Sequence, residues 1–250
     1  ERIAAALEDA AGRIERLLST APSADRMRHG ALLVLAGRPN AGKSSLFNAL
    51  VGTDVAVTGV RRPTTATPTA AIWGAQPAGE LLDWLGVGAR HVVGDQRDDE
   101  PEVLGSLDGL VLLDLPDFDS REATNRVEAE RVLDLVDLFV WVTDPQKYAD
   151  ARLHDDYVSA LATHEAVTMV VLNQSDRLSD AEVDQCRADL VRLMERDGVP
   201  GATVLATSVA TGHGIDVLRQ RLANAVAGRT MARSRLAADV RAAAGALGSH

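Results

Sequence analysis

Gly37-Arg38-Pro39-Asn40-Ala41-Gly42-Lys43-Ser44 is the stretch on which the fold turns. It has the spacing G-x-x-x-x-G-K-[ST], in which glycines let the backbone curl so that successive N–H groups face one anion. Residues 31–36 (ALLVLA) precede it, a short apolar run of the kind that forms a parallel strand buried on both faces. After it the pattern predicts a helix over 43–51, whose N-terminus adds its own preference for negative charge. Strand, glycine loop and helix in that order predict a phosphate-binding loop. Asn40, Ala41, Gly42, Lys43, Ser44 and Ser45 are then nucleotide-binding residues. Lys43 neutralises β and γ phosphates, and the Ser44 hydroxyl is a ligand for magnesium.

Outward from the loop, strand-like and helix-like segments alternate. Strands are expected at 67–73, 110–113, 138–143, 167–172 and 203–206, with helices at 121–135, 151–163, 179–196 and 214–226. Such alternation implies crossover connections and a mostly parallel sheet with helices on both faces. The fold expected is a three-layer α/β/α of the P-loop NTPase type. Helical spacing also predicts amphipathic helices at 1–18 and 231–247. The chain divides into an N-terminal helix (1–28), a nucleotide-binding domain (29–228) and a C-terminal helix (229–250). Between 75 and 108 only a short helix around 81–85 and a charged loop at 94–102 are legible.

The base is addressed by Asn173-Gln174-Ser175-Asp176, which follows the apolar run 167–172. GTPases carry N-K-x-D at the end of that strand. An aspartate there accepts two hydrogen bonds from guanine, a donor pair that adenine lacks, so adenine leaves the carboxylate unpaired. Asp176 occupies this position, and Gln174 stands where Lys is usual. Gln keeps a packing stem and loses the charge, so weaker guanine binding is expected. Thr207-Ser208-Val209 follows the last strand, where a backbone N–H of the family's S-A-K-like turn contacts guanine O6. A polar strand-to-helix turn is the alternative reading of the Asn173–Asp176 segment.

Asp114-Leu115-Pro116-Asp117 stands where GTPases carry D-x-x-G. Asp114 is expected to hold magnesium through water. Asp117 replaces the glycine whose N–H reaches the γ-phosphate, and glycine tolerates backbone angles that Asp does not. Phe118 stands where Gln often orients the attacking water. Among 61–67 (RRPTTAT), Thr65 is the favoured magnesium and γ-phosphate ligand and Thr64 the alternative. Arg61 and Arg62 are either phosphate or partner contacts or solvated loop charges. Asp144 reads as a turn cap.

Composition is that of an ordinary globular protein: 250 residues, 46% hydrophobic and 25% charged. The net charge of -10 argues against a nucleic-acid surface, so no DNA partner is expected. The single cysteine, Cys186, permits no internal disulfide, and no apolar run approaches a membrane span. A cytoplasmic location is expected. The chain begins at Glu1 rather than Met, as an excised fragment would, which leaves membrane or ribosome contact to regions outside it.

The longer run Gly37–Leu50, with Ser45-Leu46-Phe47-Asn48-Ala49-Leu50 after the loop, resembles the Era/EngA/MnmE group of bacterial GTPases. Residues 61–69, 113–120 and 141–150 look most like the YfjP-like predicted GTPases. The resemblance implies a GTPase switch with Mg2+, catalytic roles for Lys43, Thr65 and Asn40, and K+ bound by Asn40 in place of an arginine finger. It also implies an apolar residue at Phe118 in an enzyme that hydrolyses GTP without Gln. GTP/GDP, a protein effector and a second G domain are the partners implied. A non-catalytic GTP/GDP binder and a dynamin-like membrane-associated GTPase built on the terminal helices are the alternatives.

Overall fold

In the computed structural model, residues 31–37, 40–56, 68–74, 78–93, 107–115, 136–148, 167–228 and 231 are described. The expected helices at 1–18, 121–135 and 151–163 lie outside them. So does the helix at 231–247, apart from Met231.

The elements are β1 (Ala31–Gly37), α1 (Lys43–Val51), β2 (Thr69–Trp73), α2 (Gly79–Trp84), β3 (Ala89–Val93), β4 (Leu110–Asp114), β5 (Leu138–Thr143) and β6 (Val167–Leu172), then α3 (Asp180–Arg196) and β7 (Thr203–Ala206). A last helix, α4, begins at 215 and is described to 228. The strands form one seven-stranded sheet in the order β3-β2-β4-β1-β5-β6-β7. All neighbours pair in parallel except β2 and β4.

The central strands read as unbroken apolar runs because both faces are covered: every residue of β1, β4 and β5 is buried. Successive side chains of β1 point to opposite faces. Leu32, Val34 and Ala36 join Leu81 and Leu82 of α2 and Leu190 and Met194 of α3. Leu33 and Leu35 join Leu46, Phe47 and Leu50 of α1 and Leu218 and Leu222 of α4. Two apolar layers on either side of the sheet make the three-layer α/β/α architecture.

Expectation and structure part at β3. Its sequence, ARHVV, shows no alternation of apolar and polar residues, because it is the edge strand and largely exposed. Arg90 is occupied locally, its Nε donating to the Val87 carbonyl at 2.7 Å and a second guanidinium nitrogen bonding Asp83. β2, α2 and β3 thus form a parallel crossover unit before the chain returns along β4.

Candidate nucleotide-binding site

The C-terminal ends of β4, β1, β5, β6 and β7 follow one another along the sheet, and the expected site residues lie at or directly after the ends of β1, β4, β6 and β7. In parallel α/β sheets this is where ligands bind. The register sets Leu35 beside Asp114 and Gly37 beside Val142, so the phosphate loop leaves the sheet between β4 and β5.

Two glycines of the loop are required by close approaches. A Cβ on Gly37, at φ 153°, would lie 2.1 Å from the Val142 carbonyl oxygen. A Cβ on Gly42, at φ 85°, would lie 2.4 Å from the Asn173 side-chain nitrogen. Gly42 is also the N-cap of α1, has no side chain with which to cap it, and the helix's first turn carries no acidic residue. The first N–H groups of α1 therefore point toward the loop, as an anion site requires. Lys43 is buried, and its ammonium donates to the Gly37 carbonyl at 2.9 Å, spanning the loop from end to start. Ala41 is buried and Ser45 half-buried on the first turn.

Ser44 and Asp114 meet as expected. The Ser44 hydroxyl donates to the fully buried Asp114 carboxylate at 2.7 Å. Two hard oxygen donors side by side at the phosphate end of the site suit magnesium.

The base-recognition segment folds onto the phosphate loop. Asn173 donates from its amide to the Ala41 carbonyl at 3.0 Å and accepts from the Thr207 hydroxyl at 3.2 Å. Gln174 donates from its amide to the Asn40 carbonyl at 3.0 Å. Asp176 is exposed, and one of its oxygens accepts from the Ser208 hydroxyl at 2.6 Å. The Ser208 oxygen in turn accepts from the Thr211 N–H at 3.2 Å. The carboxylate is thus oriented before any base arrives.

The turn after β7 divides its N–H groups. That of Thr207 continues the ladder to the Leu172 carbonyl at 2.9 Å, and that of Ser208 bonds the His213 carbonyl at 2.9 Å. The Val209 N–H takes no partner among the described residues.

Thr65, its alternative Thr64, Asp117 and Phe118 lie outside the described residues. Asp144 caps a turn, accepting from the Gln146 N–H at 2.9 Å. Sequence reasoning missed Asn48. Buried in the second turn of α1, it accepts from the N–H groups of Val55 (3.1 Å) and Ala56 (2.8 Å) and donates to the Ala56 carbonyl (2.9 Å). It pins the start of the segment that leads toward Thr65. An amide inside the apolar run Leu46-Phe47-Asn48-Ala49-Leu50 is the signal that was there to be read. Arg219 of α4 holds the C-terminal end of the same helix, donating to the Ala49 carbonyl at 2.6 Å. No helix of the described residues is long and apolar enough to cross a membrane.

Known proteins resemble this chain in sequence and in fold. The family described as 50S ribosome-binding GTPase matches residues 32–174, more than half of the chain. The tRNA modification GTPase MnmE of Actinobacillus succinogenes is 28% identical over 232 residues, covering 86% of this chain and 40% of that protein. MnmE of Chloroflexus aurantiacus is 28% identical over 237 residues, covering 92% of this chain and 42% of that protein. The chain thus spans about two fifths of the length of these relatives. Among solved structures, Aquifex aeolicus Era bound to GDP and AlF4- superposes with a TM-score of 0.57 at 16% identity, covering 78% of this chain and 56% of that one. A chain from an oligomerised bacterial dynamin pair reaches 0.60 at 16% identity, covering 92% and 50%; both likenesses concern the fold. Matched over residues 32–174, with the phosphate loop at the end of β1, the chain belongs to the 50S ribosome-binding GTPase family.

Proposed function

We propose that this domain binds GTP with Mg2+ across the strand ends and hydrolyses it to GDP and phosphate as a switch, with the residues above in distinct roles. Lys43 and the first N–H groups of α1 hold the β and γ phosphates. Ser44, Asp114 and Thr65 are the residues that would hold magnesium. Magnesium there neutralises charge on the phosphate oxygens. Asp176 reads the two guanine donors and the Val209 N–H reads O6. The observation that carries the reading is that residues more than 130 positions apart meet at one end of the sheet: Ser44 bonds Asp114, Asn173 bonds the Ala41 carbonyl of the phosphate loop and the Thr207 hydroxyl, and Ser208, next to Thr207, bonds Asp176.

Asn40 is assigned the potassium site, where a monovalent cation replaces an arginine finger. Phe118 cannot orient water, so charge neutralisation of this kind carries the rate. Pairing of two G domains is the arrangement in which such a site would be completed. Release of phosphate is measured over many turnovers in K+ and in Na+, at two protein concentrations, beside Lys43→Ala. Faster release in K+ supports the assignment of Asn40. Equal rates in the two salts remove it, and no release above the Lys43→Ala control removes hydrolysis itself.

A further inference from the structure

β3 ends the sheet: among the described residues it pairs with β2 alone. An edge strand leaves a row of backbone N–H and C=O groups ready to bond a further strand. Proteins guard such edges with lysine or proline, and Ala89-Arg90-His91-Val92-Val93 carries neither. Its one permanent cation is taken up within the chain, since Arg90 donates to the Val87 carbonyl at 2.7 Å and bonds Asp83. Two of the five exposed large apolar side chains among the described residues belong to this unit. They are Val92 of β3 and Trp84, which follows Asp83 in α2. We propose that the β3 edge is an interface between two copies of this chain, strand against antiparallel strand, joining their seven-stranded sheets into one.

The occupant follows from the strand's own sequence, which complements itself. A two-fold axis through His91 pairs all of β3: Ala89 with Val93 of the second copy, Arg90 with Val92, and His91 with His91. Residues opposite one another in an antiparallel pair share a face of the sheet. The register with β2 sets Arg90 beside Ala70 and Val92 beside Ile72, so both point to the face that α2 covers. There the stem of each Arg90 lies along an exposed Val92 of the other copy while its guanidinium stays with Asp83. An axis through Arg90 instead would set arginine against arginine and carry Val93 past the end of the opposing strand. Antiparallel joining also sends the two nucleotide sites, at the C-terminal strand ends, to opposite sides of the combined sheet. The contact is therefore distinct from G-domain pairing at the cation site and forms with or without nucleotide.

Sedimentation of the whole chain over a dilution series, with and without GDP, tests it. The mass of two chains should appear at high concentration and fall to one on dilution, with the same midpoint in both conditions. Val92→Lys, at a position open to water, brings like charge against Arg90 of the second copy. The axis makes each substitution count twice, so association should weaken at least about ten-fold. Val92→Glu meets the same arginine with opposite charge and should associate at least about three-fold more tightly than Val92→Lys. Unchanged circular dichroism shows that both variants fold. In a Cys186→Ala background, His91→Cys puts two thiols face to face, with Cα atoms about 4.5–5.5 Å apart, and should form an inter-chain disulfide. Ala89→Cys, displaced along the strand from its counterpart, should not. A chain that stays monomeric throughout overturns the proposal. So does a dimer that needs nucleotide, that Val92→Lys leaves intact, or that crosslinks no better through His91→Cys than through Ala89→Cys. None of these outcomes touches nucleotide binding, which GDP titration reads separately.

Discussion

On either side of β1 the sheet is built differently. Toward β5, β6 and β7 the strand ends are stitched together by side chains. Asn173, Thr207, Ser208 and Asp176 form a continuous hydrogen-bonded seam that reaches the phosphate loop. Toward β2 and β3 the sheet runs out into an exposed edge. Val92 there is 65% exposed and Trp84 of the neighbouring helix 47%. The first side leaves little room for change, since its side chains hold one another and its close approaches exclude a methyl group. The second tolerates an added crossover unit because an edge strand must satisfy only one neighbour. Chemistry that needs oriented donors belongs on the stitched side.

Substitutions sharpen the contrast. Lys43→Ala should lower GTP turnover by at least about 10²-fold, the scale of removing one group that stabilises charge at a reacting centre. Phosphate release reads it, and a smaller loss would remove Lys43 from that role. Asp176→Ala should reduce the preference for GDP over ADP by about 10²-fold or more, since two hydrogen bonds to a charged acceptor, at roughly 1.5–3 kcal/mol each, are lost. Competition binding checks this. Gly42→Ala should cost roughly 1–3 kcal/mol of stability and weaken GDP binding together, because it both strains the left-handed N-cap and displaces Asn173. Thermal unfolding with and without GDP separates the two losses.

Away from the seam the effects shrink. Ser179→Ala removes the capping box of α3 and should cost about 1 kcal/mol with no change in GDP affinity. The Ser179 backbone N–H and hydroxyl hold the Glu182 carboxyl below its usual range. A depressed carboxylate contributes stability above its unfolded value and loses it as pH falls through the folded one, so the Ser179→Ala deficit should narrow in acid. Denaturant titration at neutral and acid pH checks it. Val92→Thr on the exposed edge should change stability by no more than about 0.5 kcal/mol and leave nucleotide binding alone.

Much of the site was legible because its signals are local. The glycine-lysine-serine spacing, the apolar runs of β1, β4, β5 and β6, and the Asn173–Asp176 segment each announce a strand and the turn at its end. β3 was not legible, since an edge strand with one neighbour need not alternate. Asn48 was passed over because its partners, Val55 and Ala56, lie in a loop without periodicity.

By itself the sequence determined that a glycine-lysine-serine loop and an Asn-Gln-Ser-Asp turn, each after an apolar strand, occur in one α/β domain, because such turns demand particular residue types at short spacing. Which residues hold one another was decided only in three dimensions. The parallel register brings strand ends from distant parts of the chain within hydrogen-bonding reach, and no local pattern encodes that distance. The grip of Gln174 on Asn40, the collision that keeps Gly42 a glycine, and the single donor left at Val209 all belong to that second kind.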